Sequence, residues 1–180
     1  MEAIERHAER VLAEVPPWIW DGESLPVPVE DIVDSCFGLL VRDVDDLSSA
    51  PGVPALHPDH SLSGLLLPGR GEIWVNAGEA QKWPTRRRFT IGHELGHYCL
   101  HHASGAPVWC RTGCLEHETR SATLPPLPPE EEEANAFAAA LLMPARLIRA
   151  HYRTGMDFFG FCDRFGASGS AMGKRLHAVI

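Results

Sequence analysis

An α+β fold is what this sequence predicts: a small, mainly antiparallel sheet of about three strands, packed against a helical core. Three observations predict it. Short β-favouring apolar runs cluster in the first half around a Gly/Pro turn. Helical periodicity takes over from Pro84 onward. A length of 180 residues, 44% of them hydrophobic and 22% charged, suits one domain, residues 1–180, with a core of its own.

Residues 3–15 read as an amphipathic helix stopped by Pro16-Pro17. VEDIVDSCF, from about Pro28, reads as a second helix ended by Gly38, because glycine takes the left-handed conformation of a helix C-cap at little cost. LLVRDV (39–44) reads as a strand, and 48–60 as loop. LSGLLL (62–67) and EIWVN (72–76), joined by Pro68-Gly69-Arg70-Gly71, form a hairpin. From Pro84 to His101 the residues Phe89, Leu95, Cys99 and Leu100 recur at helical spacings. Ala103 to Pro129 has little periodicity and five prolines, and reads as a long loop. Glu130 to Met143 is a strong helix former with acids in its first turn, where the helix dipole favours them. Residues 144–180 form a helical subregion punctuated by Gly155 and the GASG at 166–169.

The formal charge of −8 disfavours a chain whose main task is gripping phosphate backbones. The charge is uneven, with residues 144–180 carrying six Lys/Arg against two acids. Five scattered cysteines fit a reduced compartment. No apolar run approaches the roughly 18 residues of a membrane helix. The N-terminus carries charges of both signs rather than a signal-peptide core. A cytoplasmic protein is the expectation.

The chemistry is concentrated in His93-Glu94-Leu95-Gly96-His97. On a helix, residues four apart share a face with Cβ atoms about 5–6 Å apart, so two imidazoles can hold one ion. Imidazole nitrogen suits zinc, and Mn²⁺ or Fe²⁺ less well. Glu94 lies one residue along, near the metal but off the ligand face, where it can accept a proton from water. Gly96 places little bulk beside the site.

A catalytic zinc takes three protein ligands, so a third is needed. His101 is about 12 Å along the axis from His93, too far to share an ion. Glu116 and Glu118 in the loop, and Glu130 to Glu133 on the next helix, are carboxylate candidates. A helix positions a ligand better than a Pro-rich loop. Glu131 has a polar partner one turn on, Asn135, in an otherwise apolar stretch, and a metal-binding residue needs such hydrogen-bonded support. The other glutamates read as a dipole complement and a solvated face.

With both stretches in view, RRRFTIGHELGHYCLHH (86–102) and EEEANAFAAALLMPARLI (131–148), the chain resembles the ImmA/IrrE family of metallopeptidases. The order of elements also fits, over most of residues 25–178. The resemblance implies zinc on His93, His97 and Glu131, with Glu94 as catalytic base, the same residues that the chemistry selects. It also implies a partner: members cut or otherwise inactivate a DNA-binding repressor of the helix-turn-helix kind, often in a stress response.

Hydrolysis needs a further donor for the oxyanion, and Arg111, His117, His151 and Tyr152 are candidates. Cys110, Cys114 and His117 have spacing for a second metal or a redox switch, but free loop thiols are the simpler account. Arg86, Arg87 and Arg88 read as ion-pair partners for the chain's carboxylates, and the five tryptophans as core and rim packing. The alternative function is a DNA-binding or regulator-docking module with a structural metal site. It rests on FFGFCDRFGASGSAMGKRL (158–176), two short helices about a Gly-containing turn, with Lys174 and Arg175 in the second. A helical pair closing the core is the plainer reading of that segment. A hydrolase acting on a non-protein substrate is a third possibility that the motif permits.

Overall fold

The computed structural model describes residues 2–50, 53, 62–101 and 127–180, together with the main chain of 108–111. Helix α1 (Glu2–Glu14) buries Ala8, Val11 and Leu12 on one stripe. Helix α2 (Val29–Phe37) carries Glu30 and Asp31 in its first turn. It stops at Gly38, whose φ of 65° lets its N–H donate to the Asp34 carbonyl and the Leu39 N–H donate to that of Val33. Strand β1 (Leu40–Val44) follows, then β2 (Leu62–Leu67) and β3 (Glu72–Asn76), the last two joined by a single 3₁₀ turn at Pro68–Arg70.

The architecture is the expected α+β one, with two features that the sequence did not announce. The sheet has a fourth strand, β4 (Val108–Arg111), and the order is β1-β3-β2-β4. Strand β3 pairs antiparallel with β2 but parallel with β1, so the sheet is mixed. Strand β2 lies between β3 and β4 and is buried at all six positions. Its pairing with β4 shifts register between Leu62 and Gly64. A bulge of this kind breaks the two-residue alternation of side chains. Leu62 therefore joins Leu65 and Leu67 in a cluster with Leu47 and Ala50, while Leu66 enters the main core.

A short helix, α3 (Ala77–Lys82), is capped by Asn76, whose Oδ1 accepts from the Glu79 N–H at 3.0 Å. It leads into α4 (Pro84–His101), which packs on β2 and β3 and carries the HELGH sequence. Helix α5 (Pro129–Leu142) lies against α4 and α1. Gly92 of α4 faces Ala138 and Leu142, and Gly96 faces Ala134, so the two helices run antiparallel. A Cβ at Gly96 would sit 3.0 Å from the Ala134 carbonyl oxygen. The absent side chain sets how closely the helices approach. Phe137, Leu141, Ile91 and Leu95 fill the contact, each contributing about 1.5–3 kcal/mol by burial where the side chain is large.

The last three helices are α6 (Ala145–Arg153), α7 (Phe158–Phe165) and α8 (Gly169–Val179). Asp157 caps α7 and Ser168 caps α8. Arg175 of α8 is buried, donating to the Met143 carbonyl at 2.8 Å and to both carboxylate oxygens of Glu5 at 2.8 and 2.6 Å. That fork ties α8 to the end of α5 and to α1. The arginine run is structural as expected: Arg87 bridges Glu30 and Asp43, and Arg86 pairs with Glu79. Arg88 departs from that pattern and donates to a backbone carbonyl, that of Val27. Among the described residues no helix is long and apolar enough to cross a membrane.

Candidate functional site

His93 and His97 lie one turn apart on α4, with 0% and 2% of their surfaces exposed. Glu131, in the first turn of α5, reaches across to them because Gly96 lets the helices close up. The three residues bring ligand atoms within 4.8 Å of one another. His93 Nε2 and His97 Nε2 are 3.0 Å apart, and Glu131 oxygens lie 3.2 Å from the first and 3.3 Å from the second.

These separations test whether a metal fits. Ligands about 2.0–2.2 Å from a tetrahedral ion lie roughly 3.3–3.6 Å from one another, close to the observed spacing. Glu131 Oε2 finds no hydrogen-bond geometry despite its neighbour at 3.2 Å, as expected of donors aimed at a shared point rather than at each other. The Nδ1 of His93 faces Oδ1 of Asn135 at 3.0 Å. With the proton on Nδ1, donated to that oxygen, Nε2 keeps its lone pair directed at the cluster. The donor set, two imidazoles and a carboxylate, suits a divalent cation.

The two carboxylates differ in environment. Burial pushes Glu131 upward, but the imidazoles of His93 and His97 override this and hold its carboxyl at about 2. Glu94, one residue beyond His93, turns away from the imidazole face toward β2 and is fully buried. Burial first, and then the charge of Glu131, push its carboxyl well above the usual range, against a smaller pull from the Leu66 backbone. Neither of its oxygens has a side-chain hydrogen-bond partner among the described residues.

Other residues singled out from the sequence fall elsewhere. His101 ring-stacks obliquely near His97, 5.9 Å between centroids, and its Nε2 lies 3.3 Å from Glu133, outside the cluster. His151 packs edge-on against Phe165, and Tyr152 is exposed. Cys114, Glu116, His117 and Glu118 lie outside the described residues, as do the side chains of Cys110 and Arg111. Asn135 also forms part of the wall of a groove of about 1020 Å³ between α4, α5 and α8, which none of the cluster residues lines. The sequence carried no sign of that groove, because its walls come from helices far apart in the chain.

A helix bearing HExxH, a glutamate delivered by a second helix and a small sheet beside them form a site of the HExxH metallopeptidase class. The chain belongs to the peptidase family described as the IrrE N-terminal-like domain (Peptidase_M78), whose model matches residues 56–177. No curated protein matches it. Among solved structures it resembles a Mycobacterium tuberculosis transcriptional regulator, with a TM-score of 0.54 and 20% identity. The match covers 98% of this chain and 47% of that one, so the chain spans about half the regulator's length. At that identity the likeness is one of fold.

Proposed function

We propose that this protein is a zinc-dependent endopeptidase that hydrolyses a peptide bond in a specific regulatory protein, a DNA-binding transcriptional repressor. The observation that carries the reading is the convergence of His93, His97 and Glu131 donor atoms within 4.8 Å, with Asn135 on the far nitrogen of His93. His93, His97 and Glu131 hold the ion, and Asn135 fixes the tautomer and angle of His93. When bound, zinc supplies Lewis acidity, which acidifies water and polarises a carbonyl. Glu94 takes a proton from the attacking water and passes it to the leaving amine.

Family membership is what supports a repressor as the substrate. The same reading places the protein in the cytoplasm, as a single domain with a helical C-terminal subregion at 144–180. The rival reading, a DNA-binding or docking module around a structural metal, has lost part of its support. Arg175, one of the two cations in its second helix, is occupied by Glu5 and Met143.

The test is elemental analysis and cleavage together. Purified protein should carry about one zinc per chain, lost in Glu131→Ala. Helix-turn-helix repressors encoded nearby should be cut by the parent and left intact by a metal-loaded Glu94→Gln variant. Cutting by that variant, or absence of metal from the parent, would overturn the reading.

A further inference from the structure

We infer that Gly64 is a positioning residue for Glu94: the side chain missing from β2 is the space that holds the base's carboxyl group. A Cβ at this position would lie 2.7 Å from Glu94 Oε1 and 3.4 Å from its Cδ. It would also lie 2.4 Å from Cγ2 of Thr90, one turn earlier on the same helix. Among the described glycines no other has a neighbour closer than 3.0 Å.

Glycine is not there for its backbone freedom, since among the described residues the positive-φ glycines are Gly22, Gly38, Gly71, Gly155 and Gly166. A glycine inside a buried strand weakens it, and so marks a place where something must come close. Here that something is Glu94. Gly64 shares the face of Leu66, two residues on, toward α4, while the register shift between Leu62 and Gly64 puts Leu62 on the other face with the Leu47 cluster. Thr90 walls the slot from the helix side, and as a buried β-branched residue it is stiff at χ1. The Leu66 backbone pulls only weakly on the Glu94 carboxyl, so the slot is its main steric constraint.

A methyl group at position 64 therefore displaces the end of the flexible glutamate before it displaces the strand. Thr90 is a second obstacle, and replacing it with serine removes the 2.4 Å contact while leaving the contact to Glu94. The pair of substitutions separates packing from positioning.

The inference rests on Glu94 being the base, and the experiment keeps the two failures apart. Parent, Gly64→Ala and Gly64→Ala/Thr90→Ser proteins are loaded with zinc, assayed for zinc per chain and melting temperature, and crystallised. Cleavage of fluorescein-labelled casein, or of a repressor once one is found, is followed in parallel. Both variants should keep the parent's zinc, because the ligands are untouched, and the double variant should recover most of the melting temperature. In both, the Glu94 carboxyl should shift by about 0.5 Å or more. Turnover, where the parent shows it, should fall about 10–100-fold in kcat with KM little changed. A carboxyl that stays in place while Thr90 or the strand yields overturns the inference. So does a double variant that fails to fold, which would make Gly64 a packing residue. Absence of zinc from the parent would overturn the proposed function instead.

Discussion

The Nδ1 of His93 and the Oδ1 of Asn135 meet at 3.0 Å across the α4–α5 contact, so a residue of one helix orients an imidazole of the other. Asn135 stands one turn beyond Glu131, which lies on the other side of the same ring. Helix α5 thus faces His93 at both nitrogens, bonding one and leaving the other aimed at the cluster. Asn135→Ala removes the acceptor and frees the tautomer, and zinc affinity should fall about 10–100-fold with the fold intact. Competition against a chelator of known affinity measures this. Unchanged affinity would mean that the ring is fixed by packing alone.

The two glycines of α4 that face α5 should respond differently to alanine. At Gly92 the nearest atoms to a Cβ are side-chain carbons at 3.4 and 3.5 Å, ordinary contact distances. Gly92→Ala should be neutral or stabilising by up to about 1 kcal/mol, since alanine is the better helix former. At Gly96 the nearest atoms are backbone, the Ala134 oxygen at 3.0 Å and Cα at 3.1 Å, which cannot rotate away. Gly96→Ala should cost about 1–3 kcal/mol as an overpacking change, and should weaken zinc binding by moving Glu131 away from the histidines. Urea unfolding and metal titration of the two variants test the contrast; equal effects at both positions would contradict it.

The sequence disclosed local features well and through-space ones poorly. Helix α4 and the Gly38 stop could be read directly, because spacing and capping chemistry are contained in a few neighbouring residues. Glu131 and Asn135 stood out because polar residues on an apolar helix need partners. Strand β4 did not, since it is four residues long within a Pro-rich stretch and exists by pairing with β2. The parallel pairing of β1 with β3 was also hidden, because strand order is decided by what the helices cover. Gly96 was read as low bulk beside a site, whereas its neighbours are the backbone of another helix. Arg175 looked like a surface cation until its partner 170 residues away was in view.

Arg175 and its neighbour Lys174 make a clean pair for stability. Lys174 is exposed, and Lys174→Ala should change stability by no more than about 0.5 kcal/mol. Arg175→Met loses both bonds to Glu5 and leaves the Met143 carbonyl without this donor. A loss of about 1–3 kcal/mol follows, at the lower end if Glu5, with 28% of its side chain exposed, is rehydrated. Thermal denaturation of both variants checks this. A helix-turn-helix role would be marked instead by weakened, salt-dependent retention on duplex DNA with no change in melting temperature.

Glu94 should cost the metal-free fold stability at neutral pH, and the sign can be worked out from its environment. Its carboxyl titrates near 4.5 when unfolded and well above that when buried beside Glu131. A group whose folded value is raised favours the folded state below the unfolded value, where it is protonated in both states. That advantage is lost as pH rises from about 4.5 through the folded value, because ionisation is then easier in the unfolded chain. Glu94→Gln fills the same space without a charge to bury. In chelator-treated protein the variant should therefore melt higher than the parent at pH 7, and the gap should narrow as pH falls toward 4.5. Melting curves of both proteins across that range, with chelator present throughout, measure the difference. A gap of constant size would show that ionisation of Glu94 is not its source. A parent more stable than the variant at pH 7 would mean that the carboxylate has a partner in the metal-free protein. In either case burial of the carboxyl would no longer account for the raised proton affinity of the base.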